Sequence, residues 1–142
     1  MAITHFTPTR VYTTTSGPIN PKACASATVT TATTPVTLTV AQTLAGVLFV
    51  DCQDAGGIKF PTAANLVAGI QGCEVDTCVF LWVLNTGDTT LTPVVNTGVT
   101  LGTGSTAAMA TLTSKLWMLR VTSVTAGSEA ATLWSLTVAG LF

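Results

Sequence analysis

From Ser26 to Val40 threonine alternates with small or β-branched residues, in the run Thr28-Val-Thr-Thr-Ala-Thr-Thr-Pro-Val-Thr-Leu-Thr-Val40. β-Branched side chains are stiff at χ1 and pack well on a pleated surface, so this run predicts strands. Pro35 cannot donate to a ladder, which confines its neighbourhood to a strand start or a sheet edge. The period-two series Val36, Leu38 and Val40 supplies an inner face that a glycosylated Ser/Thr/Pro stalk would not need. The bias extends through the whole chain, where 30 of the 142 residues are threonine.

The same logic continues toward the C-terminus. Val47-Leu-Phe-Val-Asp51 is a short apolar run ended by the turn-rich stretch Cys52 to Gly57, and Ile58-Lys-Phe60 resumes as a brief strand. Pro61 to Ile70 predicts a short helix: Pro61 suits its start, Ala63, Leu66, Val67 and Ile70 recur at helical spacing, and Gly72 can end it. At about two turns it must be held by docking on a sheet. Cys78-Val-Phe-Leu-Trp-Val-Leu84 is apolar at every position, the pattern of a strand covered on both faces, which implies a second covering surface. Asn85-Thr-Gly87 and Asn96-Thr-Gly98 are turns that punctuate the next strands, and Lys115 to Ser123 and Ala131 to Val138 complete the set. Eight to ten short strands broken by Gly, Asn and Pro predict an all-β fold, an antiparallel β-sandwich or jelly-roll-like domain over residues 26–142 with one short helix. Residues 1–25 differ: Pro8, Pro18 and Pro21 interrupt any amphipathic period and predict an extended N-terminal arm. That arm is either a frayed terminus or a strap across a neighbouring subunit through Phe6, Val11, Tyr12 and Ile19.

A chain of this length buries roughly two thirds of its unfolded surface, enough for one core without a metal or disulfide. Hydrophobic residues make up 48% of it and charged residues 8%, with a formal net charge of −1, so little repulsion separates its copies. An obligate oligomer or lattice component is therefore expected. Arg10, Lys22, Lys59, Lys115 and Arg120 are scattered, which argues against a nucleic-acid partner. Residues 1–10 lack the apolar core of a signal peptide, and no stretch approaches the ~20 apolar residues of a membrane span, so synthesis in a cytoplasm and no membrane partner are expected. The four cysteines, Cys24, Cys52, Cys73 and Cys78, would start reduced there. Their spacings and the single histidine favour buried or late-oxidising thiols over a zinc site.

Catalytic groups are scarce. His5, the one side chain titrating near neutrality, stands in the arm without a nearby partner. Asp51, Asp54, Glu74, Asp76 and Asp88 are too sparse for a calcium loop and favour solvated loop carboxylates. Gly98 to Gly104 superficially suggests a phosphate cradle, but no Lys stands where one is required and no helix comes after it. Trp82, Trp117 and Trp134 lie within apolar strands, which favours core or subunit interface over a sugar-stacking platform. Neither an enzyme nor a cofactor or metal is expected.

Leu38-Thr-Val-Ala-Gln-Thr-Leu-Ala-Gly46, Phe60-Pro-Thr-Ala-Ala-Asn-Leu66, Asn85-Thr-Gly87, Gly98-Val-Thr-Leu101 and Val121-Thr-Ser-Val-Thr-Ala-Gly-Ser128 succeed one another over residues 36 to 138. In that order they resemble a small β-module of structural proteins in tailed phages and other large DNA viruses. The resemblance implies a capsid decoration, cement or minor capsid protein, or part of a fibre, commonly a trimer and without catalytic residues. The four cysteines and the proline-punctuated arm depart from the usual pattern. The expectation is a homotrimer bound to the major capsid protein on the virion surface, with Phe6, Val11, Tyr12, Ile19, Trp117 and Trp134 at interfaces. A fibre or spike module recognising a host glycan is the alternative.

Overall fold

A computed structural model describes residues 24–31, 33–103, 105 and 108–136. The fold is mostly β. Among the described residues the order is β1 (Ala25–Val29), β2 (Val36–Thr37), α1 (Val40–Thr43), β3 (Val47–Cys52), β4 (Gly56–Lys59), α2 (Ala63–Gly69), β5 (Cys78–Asn85), β6 (Leu91–Val94), β7 (Val99–Leu101), β8 (Ser114–Ser123) and β9 (Ala130–Leu136). The expected arm lies outside the described residues except at its end, where Ala25 already belongs to β1.

The strands form a six-stranded sheet, ordered β1-β3-β5-β8-β9-β7, and a three-stranded sheet, ordered β2-β4-β6. Through β6 the chain alternates between the two sheets, so it winds in coils. Ala25 aligns with Leu48 and Val36 with Ile58, steps of 23 and 22 residues; Val47 aligns with Trp82 and Gly56 with Leu91, both steps of 35. The longer second step accommodates α2 and the loop after it. Neighbours one coil apart run parallel, and only β5–β8 and β8–β9 are antiparallel.

The sheets are thus mixed, which corrects the antiparallel pairing expected throughout. Short turns between strands suggest hairpins, but here Cys52 to Ala55 and Thr86 to Thr90 carry the chain from one sheet to the other. A parallel neighbour is reached only after a full circuit, with the opposite sheet serving as the crossover. Stacking such corners leaves no room for side chains: a Cβ on Gly87 would collide with the backbone of Cys52 in the preceding coil. Buried Asn85 clips this corner, its Nδ2 donating to the carbonyls of Thr89 (2.8 Å) and Ala110 (3.0 Å) and its Oδ1 accepting from the Gly87 amide (3.2 Å).

The expected helix is present as α2, where Thr62 caps the first turn by accepting the Asn65 amide and Ala63 and Leu66 enter the core. A second helix, α1, is a correction to the one-helix expectation. Thr39 and Gln42 form a reciprocal capping box, Thr39 Oγ1 accepting the Gln42 amide at 3.1 Å and Gln42 Oε1 accepting the Thr39 amide at 2.9 Å. Two orphan donors are satisfied this way, which outweighs the strand preference of Val40 and Thr43.

Both sheets contribute to one core, including Val29, Leu48 and Val50 from β1 and β3, Ile58 from β4 and Leu81 from β5. At its centre Trp117 is fully buried and meets Phe60 with ring centroids 6.3 Å apart. Lys115 Nζ stands 5.5 Å from the Trp117 ring and donates to the Ala108 carbonyl at 3.0 Å.

Candidate functional site

Strand side chains alternate between faces, so β5 sends Leu81, Val83 and Asn85 inward and Phe80, Trp82 and Leu84 outward. The outward residues are not covered: Phe80 is 52% and Trp82 49% exposed. A strand apolar on both faces implies a second covering surface, and none of the described residues covers these two rings.

Pairing registers extend the apolar surface across neighbouring strands. One row runs Val47, Trp82, Leu116, Leu136 across β3, β5, β8 and β9. Beside it lie Phe80, Met118 and Trp134, and on its other side Phe49 and Leu84 lead to Ser114. Phe49 and Leu136 are also exposed, while Leu84, Leu116, Met118 and Trp134 are half-buried. Gly102, just past β7, is shaped by this face, because the Trp134 ring occupies the space a Cβ there would need. The indole can therefore lie across the edge strand.

Polar groups are confined to the margins. Thr100 and Thr132 bring their hydroxyls to 3.4 Å on the β7 side. At one corner Arg120 is paired with Asp76 at 2.6 Å, both exposed; at the diagonally opposite corner Asp51 accepts from Gln53 Nε2 at 2.8 Å. Asp76 holds a left-handed backbone, φ 72°, with its amide on the Val121 carbonyl. Beyond Ser114 the face ends in an open depression of about 240 Å³ lined by Leu84, Asn85, Thr86, Leu112, Thr113 and Ser114. Leu112 stands in its wall 80% exposed at φ 53°, a conformation that costs a leucine about 1 kcal/mol or more.

Of the residues expected at interfaces, Phe6, Val11, Tyr12 and Ile19 lie outside the described residues, as does His5. Trp134 belongs to the outer face. Trp117 points the other way, into the core at 0% exposure, and is a correction: its parity on β8 places it with Leu119 and Val121. The sequence alone does not single out Phe49, Phe80, Met118 or Leu112, and Trp82, left out of the expected interface, stands 49% exposed. The signal for Phe80 and Trp82 is the unbroken apolar run of β5; for Met118 it is alternation with the inward Trp117 and Leu119.

Among the described residues no three His, Cys, Asp or Glu side chains converge as a metal site would require. The cysteines are unpaired: Cys52 is buried, with its thiol against the carbonyl of Asp54 and the Thr89 hydroxyl, and Cys24 and Cys78 are exposed. Burial lowers the Lys115 ammonium below its ordinary range. What the arrangement can do is bind by apolar contact over several neighbouring strands. No protein-family model matches the sequence, and neither the curated proteins nor the solved structures provide a match.

Proposed function

We propose that the protein is a virion structural protein, a capsid decoration or cement protein that binds the outside of a capsid shell as a homotrimer and stabilises it by bridging shell subunits. The observation that carries this reading is the uncharged centre of the outer face of the six-stranded sheet, where Phe80 and Trp82 stand half exposed, a surface that a component of an assembly covers. Burying such surface contributes ~25 cal/mol per Å², and contacts of ordinary size become strong when a lattice presents many together. Low charge makes that binding tolerant of salt. The stretches that resemble viral β-modules fall at structural corners, among them the capping box of α1, the start of α2 and the Asn85–Gly87 corner. The partners so implied are the major capsid protein and further copies of the chain, and the role is architectural, without cofactor or catalysis. Particles with and without the protein test it. Loss of the protein is expected to lower resistance to heat and osmotic shock, and unchanged resistance would overturn the reading.

A second reading is favoured by one observation: Trp82 and Trp134 share this face, two strands and one row apart, a diagonal of ~12 Å. A fibre or spike module could stack host glycans on such rings. Tryptophan emission that shifts on adding sugar, with no change in oligomeric mass, would move the assignment there.

A further inference from the structure

We infer that the outer face of the six-stranded sheet is the contact between copies of this chain, closed by a second copy rather than by the shell. The inference rests on reading the protein as an assembly component, and it names the surface and occupant that this reading leaves open.

Three observations select a second copy. The centre of the face, Phe80, Trp82, Leu116, Met118 and Trp134, carries no charge, and the chain's formal net charge of −1 does little to keep a second copy from packing on it. A surface of this kind is a liability from the moment of folding, and another copy is the partner always present at the site of synthesis. Second, aromatic residues and Met at the centre with charges excluded to the corners is the composition of permanent homo-oligomer interfaces; surfaces that exist free before docking are more polar. Arg120 and Asp76 already satisfy one another at one corner, so closing the centre desolvates no unpaired ion there. Third, the size is sufficient. Six strands ~4.8 Å apart and about six residues long at ~3.3 Å each give a footprint of roughly 600 Å², near the ~800 Å² per partner of a standard interface. Leu112, standing 80% exposed at the end of the face, extends the contact beyond the sheet edge.

The test uses the full chain with three substitutions. Trp82→Glu puts a charge at the centre of the face, Phe80→Ser removes a ring without adding one, and Ala64→Glu changes an exposed position of α2 away from the face. Mass is measured by light scattering across a dilution series, with near-ultraviolet circular dichroism to establish that each variant is folded. Wild type and Ala64→Glu are expected to hold the same oligomer. Trp82→Glu and Phe80→Ser are expected to weaken it by about 30-fold or more, the loss typical of an interface hot spot, and to yield folded monomer on dilution. Folded face variants that keep the wild-type mass, or a wild type that is monomeric throughout, would overturn the inference. Adding capsid shells separates the two claims. Oligomers that depend on this face but leave shells unbound would refute decoration and keep the interface. Variants that stay oligomeric and still bind shells would refute the interface and keep decoration.

Discussion

Replacing Gly87 by alanine is the sharpest perturbation of the coiled architecture. Gly87 does not need a left-handed backbone; it needs the absence of a side chain, because its Cβ would fall among the backbone N, C and O atoms of Cys52. Those atoms belong to the end of β3 and cannot rotate away as a side-chain tip would. The corner is also clipped by Asn85 and by the Thr86 amide on the Val50 carbonyl at 2.8 Å, so relief must come from separating two coils. Overpacking of this kind costs about 1–3 kcal/mol, and an immovable backbone neighbour puts Gly87→Ala near the upper end. Gly127 is the matched control. It has φ 78° with open space around it, so Gly127→Ala meets only the left-handed penalty, about 1 kcal/mol after the stiffer unfolded chain offsets part of it. For the roughly 110 described residues the unfolding entropy makes 1 kcal/mol worth ~4 °C, which predicts a loss of about 12 °C for Gly87→Ala and about 4 °C for Gly127→Ala. Thermal unfolding monitored by far-ultraviolet circular dichroism reads both. Equal losses, or a smaller loss at Gly87, would refute the stacking of corners one coil upon the next.

Three further outcomes rest on particular contacts. Asn85→Ala strands the buried polar groups that Asn85 serves and is expected to lower stability by ~2–3 kcal/mol, seen as a lower urea midpoint at unchanged slope. Gly102→Ala pushes the Trp134 indole off the sheet, costing about 1–3 kcal/mol and shifting tryptophan emission to the red. Burial lowers the Lys115 pKa, so between that lowered value and 10.5 the unfolded chain binds more protons than the folded protein and stability rises with pH; below that window the cost is fully present. Lys115→Met is expected to flatten this alkaline rise, and urea titrations near neutrality and near pH 10.5 would detect it.

Much of the strand content was legible because threonine, valine and leucine at period two can only fill a pleated surface. The α2 segment was legible too, since Ala63, Leu66, Val67 and Ile70 keep helical spacing after a proline. Strand direction was not. Alternation says which face a residue takes but not whether the next strand in the sheet arrives by a hairpin or after a full coil. Steps of 23 and then 35 residues also hide the coil from any search for a fixed repeat. The α1 helix was masked because Thr39 and Gln42 act through a reciprocal hydrogen bond that the β-branched neighbours obscure. For the candidate site, the unbroken apolar run of β5 announced a second covering surface. What it could not supply was the pairing register, which sets Phe80 beside Met118 and Trp82 beside Leu116 and turns separate residues into one face. Trp117 and Trp134 illustrate the same limit: both sit in apolar strands, and only parity within β8 and β9 sends one inward and the other outward.

Assembly as proposed covers this outer face. Hydroxyl-radical footprinting read by mass spectrometry measures that directly, comparing dilute and assembled protein at Phe80, Trp82, Met118 and Leu112, with Ile70, part-exposed at the end of α2 away from the face, as reference. The prediction is oxidation of all five in dilute protein and protection of the first four, but not of Ile70, on assembly. Oxidation of Phe80 and Trp82 that is the same in both states would contradict the account.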